Sequence, residues 1–211
     1  MNHKYRRELF PITIFQGSVE NNEVLKELTI PHIKSTKNIS NSAPDGWFTN
    51  KIITSFDKEE LNKNLTEGDV GDELRRQYLK VLSSFFDDYW EISITNLWYN
   101  YYENGEYQED HTHVSVLNDI HFSCVHFLSY DSNIHAPLTF NDPLRLTRNF
   151  SMEMKSNRYS ERYNIFPKEG DFVMFPSYLS HEVKPGKPTP QYPRITISFN
   201  INVNSYGNEP D

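Results

Sequence analysis

A single cysteine, Cys124, among 211 residues excludes an internal disulfide framework and any metal site built on clustered thiolates. A metal, if the chain holds one, must be bound by histidine and carboxylate. Long apolar runs are also missing, since none approaches the roughly 18–20 residues of a membrane helix. The opening MNHKYRRELFPITIF is basic, but its apolar stretch is short and broken by Pro11, which does not fit a secretory signal. A cytoplasmic protein with no membrane partner is therefore expected, in the host cytoplasm if a virus encodes the chain. Positive charge is in deficit: the formal net charge is −8, so no basic field spans the molecule to hold a nucleic-acid backbone. Alanine is confined to Ala43 and Ala136, and nothing repeats at solenoid or propeller periods.

What is present is aromatic. Phe, Tyr and Trp make up 14% of the chain against a hydrophobic total of 36%, so aromatic rings must fill much of the core. The length suits one domain, residues 1–211. Residues 1–90 read as an N-terminal elaboration, with β-like pieces at Phe10 to Phe15 and Trp47 to Thr54 and a helix around Asn22 to Leu28. Between Gly71 and Trp90, Leu74, Tyr78, Leu82, Phe85, Phe86 and Tyr89 recur at intervals of three and four, which predicts an amphipathic helix over about 71–90. From 91 to 204 the pattern changes to seven short β-rich runs: Ile92 to Tyr102, His111 to Leu117, Ile120 to Tyr130, Pro137 to Asn141, Asp171 to Pro176, His181 to Val183, and Arg194 to Val203. Such spacing predicts a sandwich or barrel. The intervening segment 141–168, rich in Arg and Lys, is long for a loop, and its length suggests a lid or a surface elaboration.

Most of the eight histidines have ordinary explanations. His3 and His32 sit in polar context and are expected at the surface, and His135 in a loop. His121 and His126 lie an odd number of residues apart on one strand, so one points inward as a core histidine. His111 and His113 differ, because in an extended strand they share a face and can converge on one metal. Glu109 shares that face too. In Arg194-Ile195-Thr196-Ile197-Ser198-Phe199-Asn200 the alternation sets Arg194, Thr196 and Ser198 on one side and apolar residues on the other.

Together these pieces resemble the Fe(II)/2-oxoglutarate-dependent oxygenases, and more closely a bacterial and phage branch of them that is prolyl-hydroxylase-like. The resemblance runs in order from 92 to 203 through Trp98-Tyr99-Asn100, Gly105, His111-Thr112-His113, Ser123-Cys124-Val125-His126-Phe127, Pro167 to Asp171, Phe175 to His181 and Arg194 to Asn200. It implies an all-β core with flanking helices, a double-stranded β-helix or jelly roll of cupin type. It implies a metal triad of His111, His113 and His181, with Arg194 binding the distal carboxylate of 2-oxoglutarate, Thr196 or Ser198 adding a hydroxyl, and Asn100 reaching the 1-carboxylate or only making a strand-end hydrogen bond. Two departures stand out: His113 occupies the position where the superfamily motif has Asp, and His126 stands where the branch tends to have Tyr.

The activity implied is hydroxylation of a substrate with Fe(II), 2-oxoglutarate and O2, releasing succinate and CO2. The substrate is a peptide or protein side chain, prolyl first, or an anionic small molecule or nucleotide. Trp98, Tyr99, Tyr101 and Tyr102 form an aromatic entrance or else pack in the core. Three alternatives stay open: a triad using Glu109 in place of one histidine, a three-histidine cupin-type dioxygenase that uses no 2-oxoglutarate, and a non-catalytic metal-binding jelly roll.

Overall fold

A computed structural model describes residues 11–39, 52–86, 90–114, 119–148 and 160–205. In chain order its elements are β1 (Phe15–Ser18), α1 (Asn22–Thr36), β2 (Ile53–Thr54), α2 (Glu59–Thr66), α3 (Gly68–Leu82), β3 (Trp90–Tyr102), β4 (Gln108–His111), β5 (Phe122–Ser129), β6 (Leu138–Asn141), α4 (Arg145–Arg148), β7 (Arg162–Ile165), β8 (Asp171–Pro176), β9 (His181–Val183) and β10 (Arg194–Ser205). They form a six-stranded sheet, β1-β8-β5-β10-β3-β2, and a four-stranded sheet, β4-β9-β6-β7, with every pairing antiparallel. The expected jelly roll is thus met as two sheets with flanking helices, and no closed barrel forms among the described residues.

Period-two alternation sorts the side chains into two apolar layers. On one face of the large sheet, Tyr99, Cys124, Leu128, Phe172, Met174, Ile195, Ile197 and Phe199 pack with Leu25, Ile33, Leu65, Leu74 and Tyr78 of the three N-terminal helices. On the other, Tyr102, Val125, Phe127, Val173 and Phe175 meet Leu138, Phe140, Ile165 and Val183 of the small sheet. Both faces of β10 are therefore buried from Arg194 to Ile201, so the polar residues Arg194, Thr196, Ser198 and Asn200 are not surface residues.

Three local outcomes differ from the periodicity. The helix expected over 71–90 starts at Gly68 and stops at Leu82, where Ser83 and Ser84 hydroxyls bond back to the Lys80 and Val81 carbonyls and close the last turn. Gly71 is required there, because a Cβ would lie 2.4 Å from the Thr66 carbonyl carbon at the end of α2. Helix α1 runs past Leu28 and carries Pro31 on an exposed face. The strand expected from His111 instead ends at His111, because β4 pairs with β9 through Gln108↔Val183 and His111↔His181. Residues 115–117 of that expected strand lie outside the described residues, as do 149–159 of the expected lid, whose later part contains β7, paired with β6. Among the described residues no helix is long and apolar enough to cross a membrane.

Candidate metal centre

Strands β4 and β9 place His111 and His181 directly opposite each other. Along β4 the pairing advances three residues from Gln108 to His111 while β9 retreats two, so one extra residue is inserted. That bulge breaks the alternation and puts Gln108, rather than Glu109, on the histidine side. His113 follows just beyond the strand, its backbone N–H donating to the Ser177 carbonyl at 2.9 Å. The possible ligand atoms of His111, His113 and His181 all lie within 4.8 Å of one another, and no carboxylate joins them among the described residues.

Backbone carbonyls set two of the tautomers. Nδ1–H of His111 donates to the Glu109 carbonyl at 2.7 Å, and Nδ1–H of His181 donates to the Leu179 carbonyl at 3.0 Å. A carbonyl only accepts, so each Nε2 keeps its lone pair, the arrangement typical of histidine ligands. The Gln108 amide sits 3.3 Å from His111 Nε2. Burial pushes all three imidazoles below their usual range: His111 downward against the pull of the Glu109 carbonyl and Asp110, His113 to about 3, and His181 well below. The centre therefore offers three neutral nitrogen donors at pH 7, suited to divalent iron, cobalt, nickel or zinc.

Beside it runs a polar ladder between β10 and β3, in the register Arg194↔Tyr102, Thr196↔Asn100 and Ser198↔Trp98. The cavity it lines is shared with Gln108, His113 and His181. Asn100 Nδ2 donates to Ser198 Oγ at 3.2 Å and to Thr196 Oγ1 at 3.4 Å, so both hydroxyls keep their protons to give elsewhere. Its own Oδ1 is buried without a partner among the described residues. Arg194 is 2% exposed, with its guanidinium carbon 4.7 Å from the Tyr102 ring centre and 5.5 Å from that of Phe127. Its Nε and Nη1 have no hydrogen-bond partner among the described residues. A buried cation with unpaired donors is costly unless an anion completes it.

The structure thus brings together every residue expected in the site: His111, His113, His181, Asn100, Thr196, Ser198 and Arg194. Glu109 meets His111 through its backbone carbonyl, and its carboxylate is not among the clustered ligand atoms. His126 turns to the helix side, where its Nδ1 accepts from the Tyr78 hydroxyl at 3.0 Å and its Nε2–H donates to Asn22 Oδ1 at 2.9 Å. It is the expected core histidine and takes no part in the cavity. The next residue, Phe127, faces inward instead and has no hydroxyl to offer. His135 lies in a loop as expected but is buried, and His32 is half-buried rather than exposed, bonded to the Leu61 carbonyl. The aromatic entrance divides by alternation: Tyr99 and Tyr101 pack with the helices, and only Trp98 and Tyr102 face the cavity. Gln108, which accepts a hydrogen bond of 3.2 Å from the Tyr102 hydroxyl, escaped sequence reasoning as a site residue, because only the bulge brings it round.

Comparison with known proteins agrees with this geometry. The 2OG-Fe(II) oxygenase family model matches residues 96–200. No curated protein sequence matches the chain. Among solved structures, AviO1 from Streptomyces viridochromogenes Tue57 is similar at 14% identity over 95% of this chain and 92% of that one, with a TM-score of 0.59. The viral collagen prolyl hydroxylase of Paramecium Bursaria Chlorella virus-1, as a truncated form, gives 15% identity over 95% and 98%, with a TM-score of 0.53. A Trichoplax adhaerens prolyl hydroxylase, solved with a hypoxia inducible factor peptide fragment, gives 13% over 89% and 82%, also at 0.53. At these identities the structures speak for the fold, the double-stranded β-helix type of architecture. With the family match and the converging histidines beside that fold, the chain belongs to the Fe(II)/2-oxoglutarate-oxygenase-like superfamily.

Proposed function

We propose that the chain is an Fe(II)- and 2-oxoglutarate-dependent dioxygenase that hydroxylates a peptide or protein side chain, prolyl first, releasing succinate and CO2. The observation that carries this reading is Arg194. Its buried guanidinium presents two unpaired donor atoms toward a cavity that also holds the histidine cluster. A planar guanidinium matches two carboxylate oxygens, which is what the far end of a keto dicarboxylate offers. The Thr196 and Ser198 hydroxyls stand beside it as further donors, and Asn100 holds both of them in place. Val125, Leu138, Phe175 and Val183 line the remaining wall and keep water from the reacting centre. Iron and the keto acid, when bound with O2, would supply the oxidising power for C–H hydroxylation. The prolyl preference is supported by the prolyl hydroxylases among the similar folds.

A second reading has its own support. Three imidazoles without a carboxylate fit a three-histidine dioxygenase, in which substrate itself chelates iron, better than they fit the two-histidine, one-carboxylate triad. On ligand composition alone that reading leads, and Arg194 is the observation that favours the keto acid. Incubating the Fe(II)-loaded chain with 2-oxoglutarate in air and measuring succinate separates the two. Slow succinate release without added substrate, accelerated by prolyl peptides, is expected. Oxygen uptake that ignores 2-oxoglutarate would transfer the assignment to the three-histidine class.

A further inference from the structure

The three histidines are not held alike. His111 and His181 sit within the β4–β9 ladder, and each ring is fixed by an Nδ1–H to carbonyl bond. His113 lies beyond the end of β4, and among the described residues no hydrogen bond reaches its ring. Aromatic side chains surround it instead. The Trp98 ring centre is 5.5 Å away, tilted by 40°, and Phe56 approaches edge-on at 6.5 Å. Phe56 and Trp98 in turn pack edge-to-face at 4.9 Å, so the three rings form one stack of contacts.

Phe56 comes from the N-terminal third, and the loop that delivers it is extensively tied down. Ser55 N–H donates to the Tyr99 carbonyl at 3.1 Å, and Tyr99 N–H donates back to Ser55 Oγ at 2.9 Å. Ser55 Oγ donates to Asn62 Oδ1 of α2 at 2.6 Å, while Asn62 Nδ2 donates to the Ser55 carbonyl at 2.9 Å. Phe56 N–H donates to Thr54 Oγ1 at 3.2 Å. Directly after it, Asp57 takes a left-handed conformation, φ 56°, and it is the one non-glycine residue with positive φ among those described. A turn of this kind is held only where its surroundings fix it.

We infer that Phe56 and Trp98 are positioning residues for His113, orienting the third imidazole by packing where the other two are oriented by hydrogen bonds. This gives the loop between β2 and α2 a role in the metal centre, and it rests on reading the three histidines as ligands. Outer partners of ligating histidines typically contribute roughly 10–100-fold in metal affinity. Phe56→Ala should remove the edge contact, leave the ring free to turn, and weaken the third ligand.

The test titrates Co(II) into the wild-type chain, Phe56→Ala and Phe56→Leu, recording affinity by chelator competition together with the visible Co(II) spectrum. We expect Phe56→Ala to bind about tenfold more weakly with an altered spectrum, and Phe56→Leu, which restores bulk, to recover most of both. Should Phe56→Ala fail to fold, Phe56→Leu and Trp98→Leu carry the test through a smaller change in the same spectrum. Wild-type affinity and spectrum in every folded variant would overturn the inference while leaving the metal reading intact. No Co(II) binding by the wild-type chain would overturn the metal reading and this inference together.

Discussion

His126 and His181 are both buried, and in both the loss of solvation pushes the imidazole well below its ordinary pKa. Their surroundings nevertheless assign them different tasks. On the helix side of the large sheet, both ring nitrogens of His126 are taken, one by the Tyr78 hydroxyl and one by Asn22. Between the sheets, His181 spends Nδ1 on the Leu179 carbonyl and aims its remaining lone pair at two other imidazoles. Burial and a depressed pKa therefore do not mark a site by themselves. The marker is a cluster of ligand atoms converging on one point, as in the three imidazoles, beside polar atoms that have no hydrogen-bond partner among the described residues, as with Asn100 Oδ1 and Arg194 Nε and Nη1.

Breaking the two histidines should separate metal binding from stability. The largest effect is expected of His181→Ala, which removes one of three ligands and should lower Fe(II) or Co(II) affinity beyond the roughly 10–100-fold that outer partners contribute. Equilibrium dialysis with metal analysis checks this, and full retention of metal would exclude His181 as a ligand. His126→Leu should do the reverse. It leaves the buried Tyr78 hydroxyl unpaired, at about 1–3 kcal/mol, and takes a partner from the half-buried Asn22 Oδ1, while metal affinity stays at the wild-type value. Denaturant unfolding followed by metal titration of the same sample reads both quantities.

Acid sharpens the comparison further. The unfolded chain takes up a proton on each of these imidazoles near 6.5, but folded His126 does so only at about 3. Between those values the unfolded state binds more protons. The stability that neutral His126 contributes is whole above pH 6.5 and is lost as the pH falls toward 3, by at most about 1.4 kcal/mol per unit. Melting temperatures of the metal-free chain should therefore decline below pH 6.5, and His126→Gln should flatten that decline. The same slope in variant and wild type would show that His126 does not titrate this way. The smallest effect is expected of Glu109→Gln: with the β4 bulge turning Gln108 rather than Glu109 inward, metal affinity should change less than about twofold, within the range of a surface substitution. A loss comparable to that of His181→Ala would restore the carboxylate triad.

The strands that carry the site were legible because each is a short β-rich run closed by turn residues, and β6, β8 and β9 begin where the runs predict or within one residue of it. The site residues were legible for a different reason, namely the order of motifs along the chain. What the sequence concealed depends on tertiary placement. Strand β7 is exposed at three of its four residues and carries no alternation to read. Helix α2 is short and largely polar, so its signal was lost in the surrounding loops. The bulge between Gln108 and His111 appears only through pairing with β9, and it reverses the faces that strict alternation assigns to Gln108 and Glu109. Phe56 carries no motif, and only the Ser55, Tyr99 and Asn62 hydrogen bonds bring it beside His113.

The central claim is that Arg194 is the anion-binding residue for a keto dicarboxylate beside a three-histidine metal centre. Calorimetric titration of 2-oxoglutarate, without oxygen, into the Fe(II)-loaded wild-type chain and into Arg194→Met tests it most directly. Losing one member of a buried charge-assisted pair costs on the order of 2–5 kcal/mol, so the variant should bind 2-oxoglutarate at least tenfold more weakly while holding its iron. Equal binding by the two proteins, or no binding by the wild type, would contradict the account.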